Sequence, residues 1–368
     1  MTHLERSGRA SPSLGTGQIT KWTVINQMMR EKKIGILCLQ ETHLTTEHET
    51  QIDSLFSRRL VVLNSKDPDR PSCSAGVAFV INKEMINVSS AKLTTIIPGR
   101  AIALSINWHN EKKIRILNVY APNNLNEHAE FWNRISTLWT AKNLEHPDFV
   151  MGDFNLTEDP IDRAPARREN ESATDALRDF RISLNVQDQW RHTFPNKRLF
   201  TFSSNTNTFS RLDRIYSSPA HIDSLSDWQA NPCAVPTDHQ LVLVKFAPPG
   251  LPHVGKGRWS WPLGIITDKT LIENITRIGI ESQLTIEQCA THRTEQKNPQ
   301  TEWEQFKEKI TKTAKEIAKT QLAKINMRIK QLTKDLTMTT NSNDIDTSED
   351  KRLHQIKMRT SKRKQHGR

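Results

Sequence analysis

Val150-Met151-Gly152-Asp153-Phe154-Asn155 is an apolar run that breaks at a glycine and then presents a carboxylate and a carboxamide two residues apart. In an extended backbone, side chains at i and i+2 point to the same face. Asp153 and Asn155 would therefore stand together at the end of a buried strand. Taken alone, Gly-Asp-x-Asn is more typical of a turn held by an Asx hydrogen bond, and its interpretation depends on other segments of the chain.

Other predicted strands also end in, or contain, a polar side chain. Residues 34–39 form a short apolar run that ends before Glu41, and residues 114–119 lead into Tyr120, where Pro122 stops the strand. If two sheets pack as a sandwich, the strand ends at one edge meet, and these side chains could converge on one cleft. The candidate site residues are Glu41, Tyr120, Asp153, Asn155, Asp213, Asp238 and His239.

These residue types suit the hydrolysis of a phosphodiester. A hard divalent cation, usually Mg²⁺, takes carboxylate oxygens and neutralises charge on the phosphate, and Glu41 is the natural ligand. Asp153 next to Asn155 suits a base that takes a proton from an attacking water and an amide that holds that water in line. The adjacent pair Asp238-His239 suits a carboxylate that orients an imidazole.

The net charge of +11 is concentrated at one end of the chain. Residues 301–368 hold 17 Lys/Arg and 9 Asp/Glu, so this segment has a net charge of +8 out of the chain's +11. The length of 368 residues allows one large domain and a smaller one. We predict a disordered segment or incomplete first strand (1–20), a catalytic domain (21–247), a linker (248–264), a basic helical extension (265–340) and a disordered basic tail (341–368).

Residues 301–336 carry a heptad pattern with lysine and arginine outside it. This pattern is typical of a solvated helix or of a coiled-coil partner surface, and direct contact with nucleic acid is the other interpretation. The apolar positions of the heptad are Ala318, Leu322, Ile325, Ile329, Leu332 and Leu336.

Four separated cysteines, with no Cys-x-x-Cys pair, argue against a structural zinc site or a disulfide framework and fit a reducing compartment. The N-terminus has no apolar signal region, and no apolar run approaches the length that spans a membrane. The sequence therefore predicts a soluble intracellular protein without a membrane partner.

Taken in order, the motifs resemble those of the endonuclease/exonuclease/phosphatase superfamily over residues 21–247. They are Gln40-Glu41-Thr42-His43, Tyr120-Ala121-Pro122-Asn123, Gly152-Asp153-Phe154-Asn155, Arg211-Leu212-Asp213-Arg214-Ile215 and Thr237-Asp238-His239. The second and fourth look most like the apurinic-type endonuclease domain of non-LTR retrotransposons. Gly257-Arg258-Trp259-Ser260-Trp261-Pro262 and the basic helices look like the segment that joins that domain to a reverse transcriptase.

This resemblance implies an α+β, four-layer αββα sandwich of two packed, mainly antiparallel sheets flanked by helices, followed by a basic helical extension. It implies a nuclear, Mg²⁺-dependent enzyme, with Mn²⁺ as a substitute ion, that nicks one DNA strand and leaves a 3′-hydroxyl for target-primed insertion. A reverse transcriptase becomes a second candidate partner for residues 301–336.

The resemblance also implies a role for each matching residue. Glu41 would bind metal, Tyr120 would contact the scissile phosphate, and Asp153 would activate water that Asn155 orients. Asp213 would support the site, Asp238 would position His239 and touch metal, and His239 would bind phosphate. The chain departs from the family in one respect, since no core strand ending in asparagine is visible before Gly8-Arg9.

Other interpretations stay open at this point. Glu41 and Asp238 could cap helices or turns, and Tyr120 could be a packing residue. A phosphatase of lipids or sugars would use the same fold on another substrate. A catalytically inactive module that only binds nucleic acid or a protein partner would explain the missing first strand.

Overall fold

A computed structural model describes residues 16–108, 112–233, 235–248, 259 and 261–366. The chain divides into two units. The first extends to Leu251 and also includes Thr337–Arg359, and the second contains Pro252–Leu336 and Thr360–Arg368. The candidate site residues all belong to the first unit.

Helices and strands alternate irregularly along the chain. The described helices are α1 (Thr16–Glu31), α2 (Thr46–Phe56), α3 (His128–Ala141), α4 (Glu171–Ser183), α5 (Gln189–Thr193), α6 (Leu263–Ile266), α7 (Lys269–Thr291), α8 (Pro299–Thr340) and α9 (Glu349–His366). The described strands are β1 (Ile36–Gln40), β2 (Leu60–Ser65), β3 (Val77–Asn82), β4 (Lys92–Ile97), β5 (Ala101–Asn107), β6 (Lys113–Tyr120), β7 (Phe149–Asp153), β8 (Arg163–Ala164), β9 (Phe202–Ser203), β10 (Phe209–Ser210), β11 (Asp213–Ser217), β12 (Leu225–Pro232) and β13 (Gln240–Phe246).

The strands form two larger sheets and two small ones. The larger sheets have the strand orders β11-β7-β6-β5-β4 and β1-β3-β2. Strands β12 and β13 form a pair, and β8, β10 and β9 form a short sheet. All of these pairings are antiparallel except that between β6 and β7. The prediction of mainly antiparallel sheets is confirmed.

Alternating side chains of the central strands feed separate layers of core. On β3, Val77 and Phe79 pack in a cluster with Ile102 and Ile116 from the five-stranded sheet. Ala78 and Val80 point the other way, into a cluster with Trp22 and other residues of α1. The far face of the five-stranded sheet packs on α3 and α4 in a further cluster. The order of layers is therefore helix, sheet, sheet, helix, as the predicted αββα sandwich requires.

Asn118 joins the two sheets immediately beside the candidate site. Its Oδ1 accepts a hydrogen bond from Gln40 Nε2 (2.6 Å). Its Nδ2 donates to the carbonyl oxygens of Leu39 (3.2 Å) and Ala78 (3.0 Å). Asn118 and Gln40 are fully buried, where unpaired polar groups are costly. The network fixes the end of β1, from which Glu41 follows.

The second unit is helical in its described part, as the predicted extension requires. Ile265, Leu271, Ala314 and Ala318 form a small core, against which Leu322 packs. Asp268 caps α7 by accepting from the Leu271 N–H (2.9 Å). Two positions of the heptad are thus used within this unit. Among the described helices, none is long and apolar enough to cross a membrane.

Some predicted boundaries were wrong. Residues 341–368 were expected to be disordered, but Glu349–His366 is helical, and residues 337–359 belong to the first unit. That segment is highly polar, so its helical packing depends on contacts that no local pattern reveals. The first helix begins at Thr16, inside the segment 1–20 that was expected to be disordered or an incomplete strand. The predicted incomplete first strand before residue 10, and most of the linker, lie outside the described residues.

Candidate active site

Two carboxylates face each other across neighbouring strands. The register of β7 and β11 pairs Asp153 with Asp213, and both side chains are buried. His239, which directly precedes β13, brings its Nδ1 to 2.8 Å from Asp213 Oδ2. One ligand atom from each of Asp153, Asp213 and His239 lies within 4.8 Å of the other two. Three candidates that are 26 to 86 positions apart in sequence therefore meet in one cluster.

Gly152 allows this cluster to form, because β6 and β7 approach closely at that residue. Gly152 pairs with Val119 in the parallel register. A Cβ atom at Gly152 would lie 1.9 Å from the carbonyl oxygen of Val119, far inside van der Waals contact. Only glycine fits, and the residue after it, Asp153, ends the strand.

Asn155 is held rigidly beside Asp153. Its backbone has φ of 47°, a left-handed conformation that asparagine tolerates better than most residues. Its N–H donates to Asp153 Oδ1 (2.9 Å), and its Nδ2 donates to Ala121 O and Asn123 Oδ1, both at 2.9 Å. Asp153 and Asn155 are therefore joined by the Asx hydrogen bond of a turn, the alternative interpretation of this motif, and not as side chains on one face of an extended strand.

Glu41 and Tyr120 form the other part of the site. The phenol of Tyr120 donates a hydrogen bond to Glu41 Oε1. Burial raises the pKa of Tyr120, and the negative charges of Glu41 and Asp153 raise it further. The Arg100 guanidinium, 4.6 Å from the Tyr120 ring centroid, opposes this increase. Tyr120 therefore keeps its proton at neutral pH and can act as a hydrogen-bond donor.

The backbone of Glu41 adopts φ of 51°. This left-handed conformation is unusual for a glutamate, and such strained residues concentrate at functional sites. The cap interpretation of Glu41 is wrong, because the N-cap residue of α2 is Thr45.

The structure corrects the role assigned to Asp238. We predicted that Asp238 orients the imidazole of its neighbour His239. The carboxylate within hydrogen-bond distance of Nδ1 belongs instead to Asp213, while Asp238 Oδ1 is 3.9 Å from Nε2. Asp238 is exposed. Asp238 lies in the bend before β13, on the Nε2 side of the ring, whereas the carboxylate that reaches Nδ1 comes from β11.

The donors of the cluster match what a hard divalent cation binds. Carboxylate oxygens from Asp153 and Asp213 lie close to the His239 imidazole, and such oxygens are the ligands that Mg²⁺ prefers. Asp213 Oδ2 is already paired with His239 Nδ1, so this atom pair cannot also hold one ion between them. The residues therefore fit a cation bound by carboxylates beside a hydrogen-bonded carboxylate–imidazole pair.

Three supporting residues were not found from the sequence. Thr201 Oγ1 accepts hydrogen bonds from the N–H groups of Leu212 and Asp213, both at 3.0 Å. Phe202 pairs with His239 across an isolated bridge, with ring centroids 4.8 Å apart. Arg100 lies over Tyr120 as described. Thr201 and Phe202 share the run Leu199-Phe200-Thr201-Phe202, whose strand-like pattern could have suggested a role, whereas no motif surrounds Arg100.

Comparison with known proteins agrees with this geometry. The family model described as the endonuclease/exonuclease/phosphatase family matches residues 23–239. The chain belongs to this family. The match ends at His239 and contains the other candidate site residues, so the motifs are those of a family member.

Three relatives illustrate the relationship. The chain is 27% identical over 252 residues to the uncharacterized 149 kDa protein of transposon TX1 from Xenopus laevis, a match that covers 67% of this chain and 18% of that protein. The chain thus spans about one fifth of that relative. The fold of this chain is also similar to that of an AP endonuclease from Archaeoglobus fulgidus (TM-score 0.50, 21% identity, 64% of this chain and 95% of that chain). A 3′ phosphatase from Neisseria bound to a product DNA hairpin gives a TM-score of 0.51 at 17% identity, with coverage of 64% and 95%.

Proposed function

We propose that this family member is a divalent-metal-dependent DNA endonuclease that nicks one strand and leaves a 3′-hydroxyl. The observation that carries the proposal is the cluster of Asp153, Asp213 and His239 beside the Glu41–Tyr120 pair. It combines a buried carboxylate, an oriented imidazole and a protonated phenol. The hydrolysis of a phosphodiester needs such groups, which remove a proton from water and stabilise the charge that develops on the phosphate.

The chain's own residues divide the chemistry among them. Asp153 acts as the base that takes a proton from water. The backbone N–H of Asn155 donates to Asp153 Oδ1 and holds this carboxylate in place. His239, held through Nδ1 by Asp213, presents its other nitrogen to a phosphate oxygen. Tyr120 donates its phenolic hydrogen to the phosphate when Glu41 is engaged elsewhere. The bond from phosphorus to the 3′-oxygen breaks as the water oxygen attacks, and the departing 3′-oxygen takes up a proton from solvent.

Glu41 and Asp238 would hold the cation beside the cluster, with Mg²⁺ as the expected ion and Mn²⁺ as a substitute, while Asp153 and Asp213 keep their roles toward water and His239. When bound, such an ion neutralises charge that develops on the phosphate oxygens. A cation held by Glu41 would compete with the Tyr120 phenol for this carboxylate, which would free the phenol to donate to the phosphate.

Three observations favour DNA as the substrate. The Neisseria relative with this fold is bound to product DNA, and the 27% identical relative belongs to a transposon. Residues 301–368 also supply eight net positive charges, which favour a polyanion. A coiled-coil or reverse-transcriptase partner for residues 301–336 remains a further proposal, as does nuclear location.

The test is conversion of supercoiled plasmid to open circles by the purified protein with Mg²⁺ or Mn²⁺, and its loss with a chelator. Asp153→Asn, which keeps the side-chain shape and removes the base, should reduce the rate by at least about 10²-fold. Extension of the nick by a DNA polymerase would report the 3′-hydroxyl. Rapid release of phosphate from inositol phosphates without nicking would favour the phosphatase, and binding without either activity would favour the inactive module.

A further inference from the structure

Residues 341–359, which we call the C-terminal clasp, pack on the first unit beside β9 and β10. Ile345 is fully buried in a cluster with Phe200 and Phe209, and Ile356 packs against the same cluster. Asp346 accepts hydrogen bonds from Ala166 N (2.9 Å) and Arg198 Nη2 (2.5 Å). The clasp is therefore fixed by both apolar and polar contacts.

The last residue of the clasp, Arg359, makes contacts of a different kind. Its Nη2 donates to the carbonyl oxygen of Phe200 (3.1 Å), and its guanidinium lies 4.7 Å from the Phe209 ring centroid. With the Gln240 amide turned so that its nitrogen faces Ala230 O (3.2 Å), its oxygen accepts from Arg359 Nε and Nη1, each at 3.2 Å. Both partners are immediate neighbours of residues that build the site.

Phe200 is linked to Asp213 through Thr201, and Gln240 is the sequence neighbour of His239. Phe200 precedes Thr201, whose hydroxyl accepts the N–H of Asp213 (3.0 Å). Gln240 follows His239 and donates its own N–H to Thr201 O (2.7 Å). The short pairing between Thr201 and Gln240 sets the distance between Asp213 and His239. Arg359 contacts the backbone of Phe200 on one side of this pairing and the side chain of Gln240 on the other.

An arginine is an expensive residue for packing alone. Burial lowers the pKa of Arg359 to about 9, so the side chain remains cationic at neutral pH. Arg359 is half-buried, and a partly desolvated cation is stabilised by acceptors. Here these are the carbonyl oxygen of Phe200 and the amide of Gln240, next to the catalytic pair. A methionine would fill similar space at lower cost, which indicates that the directed hydrogen bonds have a purpose of their own.

We propose that Arg359 is a positioning residue, through which the C-terminal clasp fixes the spacing of Asp213 and His239. The inference deepens the proposed function and rests on it for the assignment of these two residues. The clasp follows the second unit in sequence, so a catalytic domain cut before residue 337 would lack a part of its own active-site support.

The test uses the full chain with Arg359→Met, Arg359→Lys and the control Lys357→Ala, an exposed residue of the same helix. Hydrogen exchange of the Asp213 and Gln240 amides is measured first, because it does not depend on activity. Arg359→Met should speed exchange at both amides by about tenfold, with Arg359→Lys between it and the wild type and Lys357→Ala unchanged. Unchanged exchange in Arg359→Met, or equal acceleration in Lys357→Ala, would overturn the proposal.

Plasmid nicking provides the second readout. We expect kcat to fall by about tenfold in Arg359→Met with KM little changed, as a misplaced catalytic pair requires, and partial recovery in Arg359→Lys. A fall in kcat that merely matches the unfolded fraction, measured by thermal melting, would show a structural role only and contradict the proposal. If the wild type does not nick DNA, the proposed function fails, while the exchange measurement still decides whether Arg359 positions the pair.

Discussion

His239 Nδ1 lies 2.8 Å from Asp213 Oδ2, although the carboxylate beside His239 in the sequence is that of Asp238. The contact joins β11 to the start of β13 and is buried on both sides. A carboxylate in this position fixes the imidazole orientation and tautomer. The carboxylate that contacts the imidazole Nδ1 therefore belongs to a strand residue and not to the neighbour in the loop.

Replacing each of the two acids, Asp213 and Asp238, by asparagine tests this relationship. Asp213→Asn should reduce nicking by about 10²-fold or more, because an amide can turn its nitrogen toward Nδ1 and stabilise the wrong tautomer. Asp238→Asn should cost less than about tenfold at saturating metal. The measurement is kcat at fixed pH, with circular dichroism to show that both variants are folded. Equal losses would return the orienting role to Asp238, and a greater loss in Asp238→Asn would refute the assignment.

The two tyrosines of the chain, Tyr120 and Tyr216, provide a prediction about pH. Burial raises the pKa of each above the ordinary value of 10.0. The folded state therefore retains phenolic protons that the unfolded state releases. The resulting stability is fully present below pH 10 and is lost as the pH rises above it.

Spectrophotometric titration should find no phenolate in the folded protein at about pH 10, where roughly half of the tyrosine in unfolded chains is ionised. Urea midpoints should decrease as the pH rises through about 10, and the decrease should be smaller in Tyr120→Phe because one of the two groups is gone. Phenolate in the folded protein at its ordinary pKa would show that Tyr120 is accessible to water and cannot keep its proton as proposed.

Much of the fold could be predicted because its signals are local. The run at residues 150–155 combines a strand, a glycine and two polar side chains, and β3 alternates between two apolar faces. Each of the predicted site residues lies in the first unit, and Asp153, Asp213 and His239 converge as expected. Periodicity and chain order are sufficient for such features.

Other features depend on contacts between distant segments. The partner of His239 could not be known without the register of β11 against β7, since a shift of one residue turns Asp213 to the opposite face. The helical fold of residues 349–359 depends on Phe200 and Phe209, about 150 positions earlier. Its own sequence is basic and carries little apolar periodicity, so it resembles a solvated tail until those aromatic rings are placed beside it.

Gly152 gives the last prediction, because it controls how closely β6 and β7 can pair. A Cβ atom at this position would lie 1.9 Å from Val119 O and 2.6 Å from Val119 Cγ2. The first contact is with backbone, which cannot move aside without breaking the parallel register that places Asp153. Gly152→Ala should lower the melting temperature by several degrees, in line with the roughly 1–3 kcal/mol cost of overpacking, and reduce nicking in the fraction that folds.

Gly279→Ala is the matched control, since its nearest contact is a side-chain atom at 4.0 Å and alanine favours its helix; it should be neutral or stabilising. A Gly152→Ala protein with wild-type melting and wild-type nicking would mean that β6 and β7 tolerate a wider spacing and that Asp153 is positioned by something other than their close approach.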